Sequence, residues 1–574
     1  MRFSFYQSSR ISLKQRLIQT AGPLVLLFTF IASAQAQLKT PSASAVASAH
    51  PIATAAGHEI LAAGGNAFDA AVAVSATLAV VEPAGSGIGG GGFWLLHRAK
   101  DNYETMIDGR ERAPLAAHRD MYQDKDGSVI KGLSMNGPLA AGIPGEPAAL
   151  VHIAEKYGRL PLSKSLAPAI RVARNGFAID ERYRKLAGFR LKQMRKDPET
   201  ASIFLHNNEV PPVDHIIKQT DLANTLEAIA TSGRAGFYSG EVAKKLVEGV
   251  RKAGGIWSQQ DLDEYQVFER NPIYGEYNGI RITSAAPPSS GGIALMTMLN
   301  ILSGYDLDKM NETSRIHTIV EVMRRAYRDR AEYLGDPDFV DIPTDKLTHP
   351  FYADGLRNTI RLDRATASGN LPGMVQNSVG EDTTHFSILD QEGNRVAATL
   401  SVNYPFGATF TPVGTGVLLN NEMDDFSSKP GTPNAYGLVG AEANAIAPGK
   451  RPLSSMTPTF LETDDRLAIL GTPGGSRIIT MVLLGALEFA ANKPVADWVS
   501  RPRFHHQFLP DAIQFEAAAL TTAQQAELKS LGHQLKAINR QYGNMQAILW
   551  RKPDNRIEAA SDPRGSGTAD IHKH

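Results

Sequence analysis

Apolar and polar positions follow a helical spacing in the segment that begins near residue 50. The pattern predicts two helices, over residues 50–63 and 67–81, separated by Gly-Gly-Asn at residues 64–66. The second helix is rich in alanine and has Asp69 near its start, which favours a helix packed inside a protein over a membrane span. Both helices are therefore expected to belong to the scaffold.

A run of glycines, residues 85–92, follows the second helix and leads into the apolar segment 93–96, which resembles a strand. Glycine runs can bind phosphate, but no Gly-Lys-Ser/Thr follows this one. The order helix, glycines, strand is also the reverse of a nucleotide-binding turn. We therefore expect these glycines to allow backbone segments to approach closely.

The middle of the chain, residues 148–362, has a mostly helical pattern with a turn at residues 287–292. One predicted helix, around residues 321–334, is rich in arginine. Charges along a helix most often belong to a solvated or ion-paired surface. The pattern therefore predicts such a surface for this helix.

The pattern changes at Thr383. Residues 384–389 alternate loosely between polar and apolar, residues 390–394 have the composition of a turn, and residues 395–402 form a second segment of the same kind. Two such segments joined by a short turn predict a hairpin that begins at Thr383.

A second junction follows the apolar segment 467–470, which is predicted to be a buried strand. The strand ends in Gly-Thr-Pro-Gly-Gly at residues 471–475, and a helix is predicted from Ser476. Exposed backbone N–H groups and the helix dipole at such a junction favour developing negative charge. The alternative is an ordinary glycine turn.

Length and composition narrow the class of protein. At 574 residues the chain is too long for one ordinary core, which favours a large layered enzyme or a few domains. Lys and Arg together number 59, as do Asp and Glu, so net charge indicates neither nucleic acid nor an anionic membrane as a partner. The chain has no cysteine, which excludes disulfides, thiolate catalysis and cysteine-bound metals.

The first 36 residues have the pattern of a removable signal peptide. An apolar run at residues 24–31 is followed by Ala-Gln-Ala at residues 34–36, which predicts cleavage after Ala36. An uncleaved anchor is the alternative, but the run is about half of the roughly 20 residues that a span needs. We therefore expect a periplasmic or secreted protein without stable membrane insertion. The basic residues that precede the run are Arg2, Arg10, Lys14 and Arg16.

A threonine hydroxyl becomes an effective nucleophile only when a base lies beside it, and the free α-amine of an N-terminal threonine can be that base. Such an amine titrates near pH 8, so it can accept the hydroxyl proton near neutral pH without a histidine or a metal. The chemistry requires a Thr, Ser or Cys at the head of a strand with a chain break before it. Thr383 fits that position, although a Thr-Thr pair alone is more typical of ordinary strand propensity.

The motif Thr-x-His-x-Ser at residues 383–387 resembles the processing site of the γ-glutamyltranspeptidases, which are N-terminal-nucleophile hydrolases. The resemblance extends over nearly the whole chain after the signal. The further segments that carry it are 64–71, the glycine run 85–92, 108–111, 142–145, 420–426, 451–456 and 473–477.

This resemblance implies a precursor that cuts itself between Asp382 and Thr383. Residues 1–36 would be the signal peptide, 37–382 the large subunit and 383–574 the small catalytic subunit. The implied fold class is α+β, a four-layer αββα sandwich formed jointly by both subunits, which remain together as a heterodimer. The resemblance implies no cofactor and no metal.

The resemblance also implies the catalytic residues. Thr383 would be the nucleophile, and the backbone N–H groups of Gly474 and Gly475 would form the oxyanion hole. Ser401 occupies a position where relatives carry threonine, with the hydroxyl supporting the nucleophile. Serine keeps the donor but lacks the methyl group that fixes the rotamer, so the rate of processing is the property affected.

A γ-glutamyl group presents an α-carboxylate, an α-ammonium and a γ-carbonyl, and the resemblance implies a partner for each charge. Residues 420–425 are, on local composition alone, a polar loop, and an ion pair with Glu111 is the structural alternative for Arg110. Some relatives have Gln where this chain has Glu422. The implied carboxylate partners are Arg110, Ser454 and Ser455, and the implied ammonium partners are Asn403, Glu422 and Asp425.

The segment 429–450 resembles the lid loop of many bacterial members, with Tyr436 closing over the bound glutamyl group. The implied donors are glutathione and other γ-glutamyl compounds, and the implied acceptors are water, amino acids or dipeptides. His505 and His506 are adjacent, but two histidines without further ligands at suitable spacing do not predict a metal site.

Three rival functions are open at this stage. A glutaryl-type β-lactam acylase shares the fold and nucleophile, but Glu422, Asp425 and the Tyr436 lid count against it. An unprocessed protein that only binds γ-glutamyl compounds is disfavoured by Thr383. A serine hydrolase is disfavoured because the chain contains no Gly-x-Ser-x-Gly.

Overall fold

Two antiparallel sheets form the centre of the computed structural model, which describes residues 40–371, 383–431, 438 and 440–573. The seven-stranded sheet has, in spatial order, β18 (Thr568–His572), β1 (Ser44–Ser48), β9 (Thr384–Leu389), β10 (Arg395–Ser401), β2 (Gly91–Arg98), β3 (Tyr103–Gly109) and β6 (Phe268–Arg270). The six-stranded sheet has β17 (Arg556–Ser561), β16 (Gln546–Arg551), β12 (Arg466–Gly471), β11 (Thr459–Glu462), β8 (Ile280–Ser284) and β7 (Ile273–Tyr277).

Two smaller sheets and the helices complete the fold. The small sheets are β13 (Phe504–His505), β14 (Ile513–Glu516) and β15 (Leu535–Ile538), and β4 (Phe177–Ala178) and β5 (Ile216–Ile217). The helices are α1 (Pro51–Ala62), α2 (Ala67–Val81), α3 (Glu146–Tyr157), α4 (Leu162–Asn175), α5 (Glu181–Met194), α6 (Pro198–Phe204), α7 (Thr220–Ser232), α8 (Ala235–Tyr238), α9 (Gly240–Lys252), α10 (Gln259–Asp263), α11 (Gly291–Leu302), α12 (Glu312–Tyr333), α13 (Thr344–Leu347), α14 (Pro350–Arg357), α15 (Ile478–Ala490), α16 (Val495–Ser500) and α17 (Thr522–Ser530).

Alternating side chains on the strands separate two apolar cores. On β2, Phe93 and Leu95 pack into a core that includes residues of the six-stranded sheet and helices α11, α12 and α15. Trp94 and Leu96 point the other way, into a core with α2, α3 and α4. The order helices, sheet, sheet, helices is the expected αββα sandwich.

The two helices predicted first begin and end close to the expected residues. Asn66 caps α2, because its side chain accepts hydrogen bonds from the backbone of Phe68 and Asp69. The Asp69 carboxylate accepts in return from the backbone N–H of Asn66 at 3.0 Å, which completes a capping box. The whole of α2 is buried, as its alanine-rich sequence predicts.

The hairpin predicted from Thr383 is also present. Strand β9 pairs with β10, with Thr384 opposite Leu400, so Thr383 lies at the open end of the hairpin close to Ser401. The turn is held by Asp390, whose carboxylate accepts from the backbone of Asn394 at 2.9 Å. The hairpin therefore places the predicted nucleophile at the end of two central strands of the seven-stranded sheet.

The glycine run provides close backbone contacts, as predicted. A Cβ atom on Gly90 would lie 2.1 Å from the carbonyl oxygen of Ser401, and one on Gly91 would lie 2.3 Å from that of Gly109. Neither distance is compatible with a side chain. These glycines thus let β2 and the preceding loop lie directly against β10 beside the hairpin's open end.

One expectation about the middle of the chain was confirmed and one was wrong. The segment expected to be mostly helical contains helices α3 to α14, and the strands β4 to β8 between them are too short for periodicity to distinguish. The arginine-rich helix α12 is not at the surface, because Arg324, Arg325 and Arg330 are all buried. Its arginine side chains make contacts inside the protein instead.

Strands from before and after the expected cleavage point are interleaved. Strand β1 pairs on one side with β18 and on the other with β9, both of which belong to the segment after residue 382. Likewise, β8 pairs with β11 in the six-stranded sheet. Each sheet is therefore built from both segments.

The expected signal peptide, Asp382 and Tyr436 lie outside the described residues. Among the residues that are described, no helix is long and apolar enough to cross a membrane.

Candidate active site

Most of the predicted site residues meet at one cavity at the open end of the hairpin. Gly474 and Glu422 are not in its wall. Gly474 lines a second cavity, and Glu422 is buried behind Arg110. The predicted residues in the wall are Arg110, Thr383, Ser401, Asn403, Asp425, Ser454, Ser455 and Gly475, and the others are Arg330, Leu438, Met456, Ser476 and Ile478.

Thr383 and Ser401 lie at the ends of the paired strands β9 and β10, and both are almost fully buried. The Ser401 hydroxyl oxygen accepts a hydrogen bond from the backbone N–H of Asn403 at 2.7 Å. Since a hydroxyl also donates, the proton of Ser401 is left for another acceptor in the cavity. Asn403 has a left-handed backbone, φ +73°, which turns the chain out of β10 and into the cavity wall.

The histidine and serine of the Thr-x-His-x-Ser motif do not line the cavity. His385 is fully buried, with Nδ1 at 2.8 Å from the Thr399 hydroxyl. Burial lowers the pKa of His385 to about 3, so its ring is neutral at physiological pH. Ser387 donates to the carbonyl oxygen of Gln546 in the facing sheet at 3.1 Å. Ser387 therefore joins the two sheets, and His385 joins β9 to β10 within one sheet.

Arg110 pairs directly with two of the predicted ammonium partners. Its guanidinium lies 2.6 Å from a Glu422 oxygen and 2.6 Å from an Asp425 oxygen, with Glu111 at 3.4 Å. Burial raises the pKa of Glu422 well above its usual range and raises that of Glu111 to about 7. The structure therefore joins residues assigned to opposite charges of the substrate in one buried ion-pair cluster, and the pair with Glu111 is its longest contact.

Ser454 and Ser455 both present hydroxyls whose acceptor role is already filled. Ser454 Oγ accepts from the backbone N–H of Met456 at 3.1 Å. Ser455 Oγ accepts from Arg330 Nη2 at 3.1 Å. Each hydroxyl can therefore donate its proton to an anion in the cavity.

The glycine junction after β12 has the geometry of a tight turn. Gly474 has φ +140° and Gly475 has φ +54°, and side chains rarely adopt these conformations. A short 3₁₀ turn, Gly475–Arg477, precedes α15, which begins two residues later than the helix start predicted at Ser476. The N-terminal end of this helical segment faces the cavity, where its backbone N–H groups favour negative charge.

Arg330 is the charged cavity residue that sequence reasoning missed. It lies on α12, whose charges were interpreted as a solvated or ion-paired surface. The signal that was available is the apolar background of the same helix, in which Ile319, Val322 and Ala326 are buried. An arginine three or four residues beyond such positions lies on the buried face.

Histidine clusters outside the cavity have structural contacts. His505 and His506 are fully buried, with His505 Nδ1 at 2.8 Å from the Thr480 hydroxyl. Among the described residues, His317, Glu321 and His533 come close enough to hold a metal ion. Glu321, however, already pairs with Arg324 and Arg325, and their positive charges oppose a cation there.

The protein has αββα layers, and Thr383, directly before strand β9, lines the cavity. These two features define the class of N-terminal-nucleophile hydrolases. A solved cephalosporin acylase from Bacillus halodurans has the same fold, with a TM-score of 0.80 and 26% identity. The match covers 92% of this chain and 96% of that chain.

Sequence comparison narrows the class further. The family model Gamma-glutamyltranspeptidase matches residues 53–571. A glutathione hydrolase proenzyme from Pseudomonas sp. (strain A14) is 43% identical, over 94% of this chain and 95% of that protein. A solved γ-glutamyltranspeptidase chain from Helicobacter pylori is 41% identical, with a TM-score of 0.55, and covers 56% of this chain and 93% of its own. The chain belongs to the γ-glutamyltranspeptidase family.

Proposed function

We propose that this protein is a γ-glutamyltransferase and glutathione hydrolase that activates itself by cutting before Thr383. The observation that carries the proposal is the cavity in which Thr383 meets charged and hydroxyl groups of both required kinds. Arg110, Ser454 and Ser455 can attract a carboxylate, and Asp425 can attract an ammonium. An α-amino acid head group requires both.

In the first stage, the Thr383 hydroxyl oxygen attacks the carbonyl carbon of Asp382, and the peptide bond is replaced by an ester. The nitrogen of Thr383 takes up the hydroxyl proton and becomes a free amine as the ester forms, and water then hydrolyses the ester to give a carboxylate on Asp382 and restore the Thr383 hydroxyl. The products are 37–382 and 383–574. The solved H. pylori chain supports this division, because a chain that aligns over 93% of its own length covers only 56% of the precursor.

In the second stage, the free amine of Thr383 accepts the hydroxyl proton while the oxygen attacks the γ-carbonyl of the donor. Backbone N–H groups of Gly474 and Gly475 stabilise the oxyanion, and the Ser401 hydroxyl supports the nucleophile. The leaving amine takes the proton. Water, an amino acid or a dipeptide then attacks the γ-glutamyl ester and restores Thr383.

The location of the enzyme, its lid loop and its assembly are also part of the proposal. We propose that the signal at residues 1–36 directs it to the periplasm or the outside of the cell. Tyr436 would close over the bound glutamyl group as part of the loop 429–450. Leu438, from the same loop, lines the cavity and supports this assignment. The two chains would remain one heterodimer because their strands share both sheets.

The test is intact mass and N-terminal sequencing of the purified protein, with release of a γ-glutamyl chromogen measured in parallel. We expect wild type to give two chains, the smaller beginning at Thr383, and Thr383→Ala to give one inactive chain. Thr383→Ser is the matched control, because it retains a hydroxyl and should still be cut. An uncut wild-type protein that turns over the donor would refute the mechanism.

A second candidate is a glutaryl-type acylase, which the fold shared with the B. halodurans enzyme makes reasonable. A glutaryl group lacks the ammonium, so Asp425 would have no charge to bind. Comparison of a γ-glutamyl and a glutaryl amide of the same chromogen separates the two functions. Faster release from the glutaryl amide would favour the acylase.

A further inference from the structure

Arg330 links α12 to the wall of the nucleophile cavity. The side chain is almost fully buried, and it lines the cavity together with Thr383 and Ser455. Its Nη2 donates to the Ser455 hydroxyl oxygen at 3.1 Å, and its Nε donates to the Ser290 hydroxyl oxygen at 2.9 Å. Both contacts are to neutral groups.

Arg330 therefore has no direct ion pair among the described residues, and only the more distant carboxylate of Asp425 partly compensates its charge. Within the described part of the chain, no carboxylate lies within ion-pair distance of it, whereas Arg110 in the same cavity has contacts with Glu422 and Asp425. Burial lowers the pKa of Arg330 to about 10, so it stays protonated at physiological pH. A buried charge without a partner is costly unless a ligand supplies one.

Arg330 also holds both members of the serine pair. It contacts the Ser455 hydroxyl directly. The Ser290 hydroxyl, which accepts from Arg330, donates in turn to the backbone carbonyl oxygen of Ser454 at 2.6 Å. Because its guanidinium is planar and rigid, it fixes these two groups relative to each other. Loss of the side chain would free the Ser455 hydroxyl and remove one indirect support of Ser454, whose backbone stays bonded to Ser290 and Pro288.

We propose that Arg330 is the positioning and specificity residue for the donor's α-carboxylate: it orients Ser455 and Ser454 and supplies the unpaired positive charge. The inference rests on the proposed function and adds Arg330 to Arg110, Ser454 and Ser455 as a residue that acts on the donor's carboxylate. Arg110 in turn holds Glu422 and Asp425 in place for the ammonium. Donors that lack the α-carboxylate should then gain nothing from Arg330.

The experiment compares two chromogenic donors, the γ-glutamyl amide and its analogue with an α-carboxamide, in wild type, Arg330→Gln and Arg330→Lys. We expect Arg330→Gln to reduce the preference for the carboxylate donor at least about tenfold, the effect of one charge-assisted hydrogen bond, and mainly through KM. Arg330→Lys keeps the charge and should retain most of the preference.

Processing on a denaturing gel and the melting temperature show whether each variant is folded and cut. If Arg330→Gln does not mature, Arg330→Lys decides, because a wild-type preference in that variant supports the charge and a tenfold loss contradicts it. Equal losses for both donors in mature Arg330→Gln would overturn the role and leave a purely structural one. A mature wild type that turns over neither donor would instead reject the proposed function.

Discussion

At the scale of single residues, the cavity is organised by an arginine that is paired and an arginine that is not. Arg110 holds Asp425 at 2.6 Å, so the carboxylate has a fixed position before any ligand arrives. Such preorganisation avoids the entropy of ordering a long side chain on binding. An ammonium bound at Asp425 therefore joins an existing pair and does not have to break it.

Removal of that fixed charge should weaken binding more than folding. In Asp425→Asn we expect KM for γ-glutamyl donors to rise about tenfold or more, because one charged hydrogen bond to the ammonium is lost. Arg110 keeps Glu422, so the variant should fold and be cut. Steady-state kinetics of the purified variant check this.

The matched control is Glu59→Gln, which removes a carboxylate from an exposed pair with Arg171, outside the proposed lid loop. Exposed pairs contribute little, so KM and melting temperature should stay close to wild type. An Asp425→Asn variant with unchanged KM would show that the ammonium does not bind at this carboxylate.

At the scale of elements, the site depends on how closely β2 and its loop approach the end of β10. Ser401 contributes its hydroxyl to the cavity and its carbonyl oxygen to the contact with Gly90. Any displacement of that carbonyl oxygen therefore moves a cavity residue. The glycine run therefore affects the site only by letting the backbone approach Ser401 closely.

A methyl group in this contact should damage the site. We expect Gly90→Ala to cost at least about 1–3 kcal/mol, as overpacking typically does, and to slow cleavage before Thr383 because Ser401 must shift. In Gly87→Ala, the control, the added Cβ would lie 3.6 Å from Val402, an ordinary contact. Thermal melts and a time course of processing check both. Equal behaviour of the two variants would contradict the argument.

Individual helices and strands differ in how well the sequence predicts them. Helix α2 could be predicted to the residue because Asn66 and Asp69 form a capping box and most of the residues that follow are alanine or valine. The three-residue strand β6 could not, because so short a segment has no period to detect.

The sequence predicted which residues form the site, but not which of them pair with each other. The family motif pointed to Arg110 and Asp425, yet no local pattern shows that two residues so far apart in sequence form one pair. Arg330 was missed because a charged helix is more often at a surface than in a core. The pairing of charged side chains depends on tertiary packing, which local sequence does not show.

At the scale of the whole molecule, the expected cut divides the chain but not the fold. Strand β1 lies between β18 and β9, and all of its residues are buried. Buried contacts also cross between segments elsewhere, since Arg324 pairs with Asp511 and His317 lies 2.7 Å from His533. Separation of the chains would expose both sheets.

We therefore expect the mature enzyme to behave as one particle under native conditions. Native mass spectrometry should give a single species with the summed mass of both chains, and a denaturing gel should resolve two. Thr383→Ala should give one species in both. Free small chain in a native sample of the cut enzyme would contradict the shared sheets.

The interleaved strands also bear on the order of folding and cleavage. Since β1 lies between β18 and β9, we expect the chain to fold while it is still one piece and the proposed cut to follow. The proposed cut would remove the link that makes this assembly intramolecular, and unfolding would then be hard to reverse. Recovery of denatured mature enzyme would be second order in protein, whereas the uncut chain could refold alone.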